Sequence, residues 1–281
     1  MIACVAVPEA KHTIELDGRR LAWRSLGSGP ALVLVNGYSA TAADWDPTLL
    51  GALAASFELI CPDNRGVGDS QLGDPGELSI DAMARDLIAL LDALGLEQAS
   101  FAGWSMGGFV AQTMATLAPA RVRRMVLLAT DPGGSAATLA DPDVWGRLTD
   151  DSGSPREQAT RLLSVLFPPE VAVAIDRMFG EVVAGARAAL SPVALRAQER
   201  AIEAWHAREP SGPGPGTPPV LALCGGLDVV IPPANLKALA ARWPGAKTEV
   251  FDGGGHAFMA QEPERLAAAI TGFLAQDAPE A

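Results

Sequence analysis

The sequence contains few of the residues from which metal and redox sites are built. Among its 281 residues are three cysteines, three histidines and a single tyrosine. The cysteines, Cys4, Cys61 and Cys224, are far apart and form no Cys-x-x-Cys pair, so nothing indicates a zinc site or a redox dithiol. Cys61 and Cys224 lie in apolar strand-like runs, where we expect buried free thiols. This use of cysteine is typical of a reducing cytoplasm.

The sequence also lacks long runs of basic residues and long runs of apolar residues. The net charge is −12, from 21 basic and 33 acidic residues, and no basic stripe interrupts it, which argues against nucleic acid as a partner. No apolar run approaches the roughly 20 residues that cross a bilayer. Residues 1–10 lack the charged start of a secretory signal. We therefore expect a cytoplasmic monomer or homodimer without a membrane partner.

What the sequence does contain is an alternation of strand-like and helix-like segments. Asp17-Gly18 predicts a hairpin turn near the N-terminus, and Ser79 and Gly95 delimit an amphipathic helix. The alternation predicts a mostly parallel sheet with helices on both faces. The predicted strands are residues 12–17, 19–25, 31–35, 57–63, 100–103, 122–130, 220–226 and 247–253.

The alternation stops near residue 133 and resumes near residue 219. The segment between contains three helix candidates, at 156–166, 169–184 and 192–207, and ends in a Pro/Gly-rich stretch. Because it is too long for an ordinary loop, we predict a helical cap, residues 134–218, inserted into a core domain of residues 1–133 and 219–281. We expect four large cap side chains to form an interhelical core first and to line a pocket second: Trp145, Phe167, Met178 and Phe179.

A Gly-x-Ser-x-Gly motif, residues 103–107, lies between a short strand and a helix. In that context the serine occupies a sharp turn that raises its hydroxyl above the sheet, and the flanking glycines relieve crowding. The N-terminus of the following helix points N–H groups at developing negative charge. Ser105 is therefore the candidate nucleophile, and a simple helix cap would not require glycines on both sides.

A serine hydroxyl is a poor nucleophile at neutral pH and needs a base within hydrogen-bond reach. His12 lies in the N-terminal hairpin, away from the motif. His206 ends a cap helix, where an exposed polar role or a place near substrate are both open. His256 follows three glycines, in a loop whose flexibility would allow the imidazole to reach Ser105. Elimination and position favour His256 as the base.

An acid must orient and stabilise the base. Asp228 follows the strand at 220–226, and the order Ser, Asp, His along the chain is one of the known orders of such triads. Asp131, after the preceding strand, is the competing candidate. An aspartate at either place can instead cap the structure that follows it.

These motifs together resemble the α/β-hydrolase superfamily, especially capped members such as esterases and enol-lactonases. The resemblance spans roughly residues 12–275, and its landmarks are GSGPALVLVNG, DNRGVGDS, GWSMGG, GGLDVVIPP and GGGHAF. It implies an α/β-hydrolase fold with a mostly parallel eight-stranded sheet and an inserted helical cap.

The resemblance also implies an oxyanion hole formed by the backbone N–H groups of Tyr38 and Met106. Asn36 stands where family members usually have histidine, and we expect its amide to replace the hydrogen bonds of that histidine. The Tyr38 side chain either contacts substrate or packs beneath the cap. Trp104, beside the nucleophile, either lines an acyl pocket or packs in the core.

The expected activity is hydrolysis of a neutral, largely apolar carboxylic ester or lactone by Ser105, His256 and Asp228, without metal or cofactor. Acyl transfer, thioester cleavage or carbon–carbon bond cleavage in the same pocket remains open. So do a ligand-sensing protein with little turnover and a lyase or isomerase that uses His256 without the serine.

Overall fold

A single eight-stranded sheet forms the centre of the molecule. The computed structural model describes residues 9–277. The strands run in the order β1-β2-β4-β3-β5-β6-β7-β8; β2 is antiparallel to both β1 and β4, and the other neighbours are parallel. This confirms the predicted sheet. The strands are β1 Ala10–Leu16, β2 Arg19–Gly27, β3 Ala31–Val35, β4 Glu58–Pro62, β5 Ala99–Trp104, β6 Val122–Leu128, β7 Val220–Gly225 and β8 Lys247–Phe251.

Helices cover both faces of the sheet because its central strands are apolar on both faces. In β3, Val33 and Val35 join one core cluster, whereas Leu32 and Leu34 join the other. The first cluster contains apolar residues of α2, α3 and α8, and the second contains those of α1 and α9. These helices are α1 Pro47–Ala54, α2 Ile80–Ala93, α3 Met106–Leu117, α8 Asn235–Arg242 and α9 Pro263–Leu274.

The hairpin between β1 and β2 turns at Asp17-Gly18, as the sequence predicts. Asp17 has φ 49° and Gly18 has φ 75°. Two consecutive positive φ values are the requirement of a tight hairpin turn whose twist matches that of the strands, and aspartate followed by glycine adopts them at low cost.

Four helices, rather than the three candidates of the sequence, lie between β6 and β7. They are α4 Pro142–Thr149, α5 Pro155–Leu166, α6 Pro169–Ala188 and α7 Pro192–Ala207. The additional helix, α4, begins in a segment that is acidic and poor in apolar residues. Its start is nevertheless encoded locally, since Asp141 caps the N–H of Asp143 and proline occupies the first helical position.

The expected interhelical core of this segment is only partly right. Phe167 is buried and Trp145 is half-buried, but Met178 and Phe179 are 70 % and 50 % exposed. Helix α6 buries a stripe of small residues instead, at Ala172, Gly180 and Ala184. A Cβ atom on Gly180 would lie 2.5 Å from the guanidinium of Arg156 in α5, so the small residue leaves room for that side chain. That packing turns the large side chains outward.

The helices of the described chain can be compared with the length and hydropathy that a membrane span needs. Within residues 9–277 no single helix is long and apolar enough to cross a bilayer, and α6 and α7 meet the criteria of length and composition only as a pair bent by 95°. Residues 1–8, which include Cys4 and most of the segment considered as a secretory signal, lie outside the described residues.

Two cysteines lie in central strands of the sheet, as expected. Cys61 in β4 and Cys224 in β7 are both buried free thiols. Burial disfavours the charged thiolate and raises the pKa of each thiol to about 12. Because the thiolate is the reactive form, both side chains are chemically silent in the folded protein.

We expect iodoacetamide at pH 8 to leave Cys61 and Cys224 unmodified in the native protein and to alkylate both in guanidinium chloride. Peptide mass spectrometry of the two cysteine-containing peptides measures this directly. Rapid modification of either peptide without denaturant would contradict the burial described for its strand.

Candidate active site

Ser105 occupies a strained turn between β5 and α3. Its backbone angles are φ 56° and ψ −121°, a conformation that residues with a side chain rarely adopt. Three hydrogen bonds hold the turn: the Ser105 N–H donates to Leu128 O at 2.9 Å, and Ser105 O accepts from Gly108 N and from Thr130 Oγ1, each at 2.8 Å. The surrounding structure therefore stabilises a backbone that is unfavourable by itself.

The glycines around Ser105 are there because backbone segments meet at this turn. A Cβ atom on Gly103 would lie 2.3 Å from Gly107 O, and one on Gly107 would lie 2.0 Å from Val35 O. A Cβ atom on Gly108 would lie 2.4 Å from Thr130 Oγ1. The crowding inferred from the Gly-x-Ser-x-Gly pattern is thus present, and it involves the end of β3 as well as α3.

His256 and Asp228 form a buried pair. The distance between His256 Nδ1 and Asp228 Oδ2 is 2.8 Å, and the two side chains are 2 % and 0 % exposed. The second carboxylate oxygen, Oδ1, accepts from the N–H groups of Val230 and Ile231 at 2.8 and 2.9 Å. Asp228 therefore combines the two roles weighed in the sequence, since it caps the loop that follows β7 and also bonds an imidazole.

The loop that carries His256 packs against neighbouring chain at two of its three glycines. A Cβ atom on Gly254 would lie 2.6 Å from Phe258 Cβ, and one on Gly255 would lie 2.6 Å from Leu166 O. Gly255 N–H donates to the Gln261 side chain at 2.9 Å, and the Trp104 indole N–H donates to His256 O at 3.1 Å. Gly254 and Gly255 thus allow close approach to neighbouring chain, whereas a Cβ atom on Gly253 would meet nothing within 4 Å.

Asp131, the competing acid, has a histidine of its own. Its Oδ2 lies 3.0 Å from His206 Nε2, and its Oδ1 accepts from Gly133 N at 2.8 Å. His206 ends α7, so this pair joins the segment after β6 to the last of the inserted helices. Each of the two aspartates that follow a central strand thus bonds a different histidine.

The loop after β3 is held by α7. The Tyr38 hydroxyl donates to Glu199 Oε1 at 2.7 Å, and the Ser39 N–H donates to Gln198 Oε1 at 2.9 Å. Gln198 is completely buried, and its Nε2 also donates to Arg65 O at 3.2 Å. The Tyr38 side chain therefore packs beneath α7 and also lines the cavities described below.

Gln198 is a site residue that the sequence reasoning missed. Its signal was a polar side chain within the apolar stripe of α7, where Ala194, Leu195, Ala201 and Ile202 are buried. A buried amide in such a stripe requires partners of its own, and here they are two loops of the core. Helical periodicity identifies such a position, but only the fold identifies its partners.

The Asn36 side chain does not form the hydrogen bonds that we expected of it. Its Oδ1 and Nδ2 atoms are both buried, and neither bonds any group within residues 9–277. Its backbone carbonyl accepts from Asn64 Nδ2 at 2.9 Å. The side chain thus does not supply the hydrogen bonds that we expected to replace those of a histidine, and it is the main chain of Asn36 that connects the two loops.

Ser105 lies between two cavities. The small cavity, of about 160 Å³, is lined by Ser105, His256, Trp104, Tyr38 and Arg187 among others. The large cavity, of about 400 Å³, shares Ser105, Tyr38 and Leu148 with it. Residues of the large cavity include Phe109, Leu139, Trp145, Ile202, His206, Val230 and Ile231. No group of three or more metal-ligating side chains occurs within residues 9–277.

A family model of the alpha/beta hydrolase fold matches residues 30–263, which include all three members of the candidate triad. The chain belongs to the α/β-hydrolase family. Similarity to individual members of the family extends along nearly its whole length.

Three proteins illustrate what this α/β-hydrolase is similar to. A pimeloyl-[acyl-carrier protein] methyl ester esterase from Aeromonas hydrophila is 25% identical over 88% of this chain and 96% of the relative. A solved hydrolase from Pseudomonas aeruginosa is 27% identical, with a TM-score of 0.76 over 94% and 98% of the two chains. The enol-lactonase from Burkholderia xenovorans, 24% identical with a TM-score of 0.77 over 94% and 100%, shares the fold.

We expect Gln198→Leu to lower the free energy of unfolding by about 1–3 kcal/mol, because the half-buried Ser39 N–H and Arg65 carbonyl lose their partner. Urea unfolding measures the change. Val193→Ala, on the exposed side of α7, is the matched control and should alter stability by less than about 0.5 kcal/mol. Equal stability of the two variants would mean that the Gln198 bridge contributes no net stabilisation.

Proposed function

We propose that this α/β-hydrolase is a serine hydrolase that cleaves a carboxylic ester or lactone with a largely apolar body. The observation that carries the proposal is the buried His256–Asp228 pair, whose imidazole lines the same cavity as the strained Ser105. A buried carboxylate beside an imidazole, next to a serine raised on a turn, fits nucleophilic catalysis better than a structural role.

The hydrogen bond between His256 and Asp228 determines the direction of proton transfer. An ionised carboxylate only accepts, so His256 donates from Nδ1 and its Nε2 remains available as the base. In the proposed mechanism Nε2 takes the Ser105 proton as Oγ attacks the carbonyl carbon. Asp228 stabilises the imidazolium, which then gives its proton to the leaving oxygen. The product of this half-reaction is an acyl-enzyme.

We assign the oxyanion hole to the backbone N–H groups of Tyr38 and Met106. Met106 is the first residue of α3, where N–H groups have no acceptor within the helix and the helix dipole favours negative charge. Each such donor is worth on the order of 3 kcal/mol in the barrier. The hydrogen bonds from Tyr38 and Ser39 to α7 support this assignment because they hold the loop in place.

Deacylation repeats the chemistry with water. His256 takes a proton from water, the hydroxide attacks the acyl carbonyl, and Ser105 leaves with the proton. We propose that the apolar part of the substrate occupies the large cavity, and that residues 134–218 act as a cap, since residues of this segment line both cavities. The methyl ester esterase among the relatives supports an ester as substrate, and the shared fold of the enol-lactonase is compatible with a lactone.

We expect a fluorophosphonate probe to label the wild-type protein at Ser105 and to leave Ser105→Ala unlabelled. The probe reacts with an activated serine whose base and oxyanion donors are in place. Tandem mass spectrometry locates the label. Equal labelling of both proteins, or a label on another serine, would overturn the proposal.

An ester and lactone panel then identifies the reaction. We expect water to be the acceptor of a labelled acyl group even when alcohols or amines are added, whereas transfer to those acceptors would identify an acyltransferase. Activity that survives in Ser105→Ala would indicate a lyase or isomerase that uses His256 alone.

The two Asp–His pairs allow a matched test of which aspartate is the acid of the proposed triad. We expect Asp228→Asn to keep its fold and to lose about 10⁴-fold in kcat, because the amide favours the wrong imidazole tautomer. Asp131→Asn, which alters the pair with His206, should retain kcat within about tenfold. Steady-state kinetics on one ester, with circular-dichroism melting of both variants, provides the comparison. The reverse pattern would assign the acid to Asp131.

A further inference from the structure

A buried arginine lies in the same cavity as the candidate nucleophile. Arg187 belongs to the last turn of α6 and is 6 % exposed. It lines the small cavity together with Ser105 and His256. Neither the Gly-x-Ser-x-Gly motif nor the proposed triad mechanism accounts for a cation at this position.

The guanidinium has few protein partners. Nη1 donates a long hydrogen bond to the Ser39 hydroxyl at 3.3 Å, and Nε is buried without a hydrogen-bond partner in the described part of the chain. An arginine carries five N–H donors, and in buried positions these usually meet carboxylates or carbonyl oxygens. Arg187 forms no ion pair with any carboxylate of residues 9–277.

The acidic side chains around Arg187 are engaged with other groups. Glu199 accepts from the Tyr38 hydroxyl and from Arg196 at 3.0 Å, and Asp151 pairs with Arg196 at 2.8 Å. Asp44, which also lines the small cavity, accepts from the Thr41 N–H and hydroxyl. Glu199 and Asp151 give Arg187 distant electrostatic compensation, and none of the three carboxylates bonds it directly.

A purely structural role explains this residue poorly. An arginine near a helix C-terminus gains a favourable but small interaction with the helix dipole, and it gains that at the surface as well. Burial of the charge is costly and lowers the pKa of Arg187 from its ordinary value. An apolar side chain would fill the same space without that cost. The remaining donors of the guanidinium are available to an acceptor that enters the cavity from outside.

We propose that Arg187 binds a carboxylate of the substrate. The guanidinium fork matches a carboxylate with two parallel hydrogen bonds, and burial of the guanidinium strengthens that contact. The preferred substrate is then an ester or lactone that carries a carboxylate on the part held in the small cavity and an apolar group in the large one. This inference rests on the proposed serine hydrolase activity, and it replaces the expectation of a neutral substrate.

Two pairs of esters test the inference. The first compares mono-p-nitrophenyl glutarate with p-nitrophenyl butyrate, so that the carboxylate is on the acyl part. The second compares 4-carboxyphenyl butyrate with phenyl butyrate, so that it is on the alcohol part. At pH 7.5 we expect the wild-type protein to have the higher kcat/KM for the anionic member of at least one pair.

Variants at residue 187 then assign the preference to its side chain. In Arg187→Met we expect kcat/KM for the preferred anionic ester to fall roughly 10- to 100-fold, mainly through KM, with the neutral ester changed less than about threefold. Arg187→Lys keeps the positive charge but lacks the planar guanidinium, so its kcat/KM for the anionic ester should lie between those of the wild type and Arg187→Met. Arg177→Met, on the exposed side of the same helix, is the control and should leave both values unchanged.

Several outcomes would overturn the inference. Wild-type preference for the neutral ester in both pairs would do so, as would an equal loss on neutral and anionic esters in an Arg187→Met protein that melts normally. If no ester is hydrolysed at all, it is the proposed function that fails.

Calorimetric titration with monomethyl glutarate tests the carboxylate contact without turnover. It compares the Ser105→Ala protein with the protein that carries both Ser105→Ala and Arg187→Met. Equal affinity in the two proteins refutes it.

Discussion

The close approach of three backbone segments around Ser105 is the constraint on which the rest of the site depends. Gly107 lies so near the end of β3 that a Cβ atom would be 2.0 Å from Val35 O. This contact brings the loop with Tyr38 against the start of α3, the two segments to which we assign the proposed oxyanion hole. The same crowding forces positive φ on Ser105, which no local preference of serine explains.

Helix α7 couples the inserted segment to this turn. Gln198 and Glu199 bond the loop of Tyr38 and Ser39, and His206, at the other end of the helix, bonds Asp131. These contacts are polar, directional and partly buried, so sliding the helix would break several at once. The inserted helices are therefore part of the site rather than a lid resting on a finished core. In the proposed mechanism, the position of the inserted helices relative to the loop of Tyr38 and Ser39 does not change.

Buried polar groups around the site fall into two kinds, and the difference is informative. Asp228 and Gln198 use their side-chain acceptors on partners within the protein. Arg187 is as deeply buried but retains donors without partners. Satisfied groups hold the architecture, whereas an unsatisfied cation facing a cavity is costly to fold around unless a ligand completes it. This is why Arg187, rather than a residue of the triad, carries the inference about substrate charge.

Local rules were sufficient for the sheet, most helices and the strained turn, because apolar runs, caps and the glycines around Ser105 act over a few residues. From the sequence alone, Asp228 and His256 were predicted to lie in the loops that follow two strands of the sheet, and in the structure they follow the carboxyl ends of β7 and β8. Periodicity could not reveal that the large side chains of α6 point outward, since a stripe of small residues packs as well. Nor could it decide which histidine meets which aspartate, or that Arg187 enters the cavity of Ser105. Those pairings join residues far apart along the chain, and only the packing of whole elements brings them together.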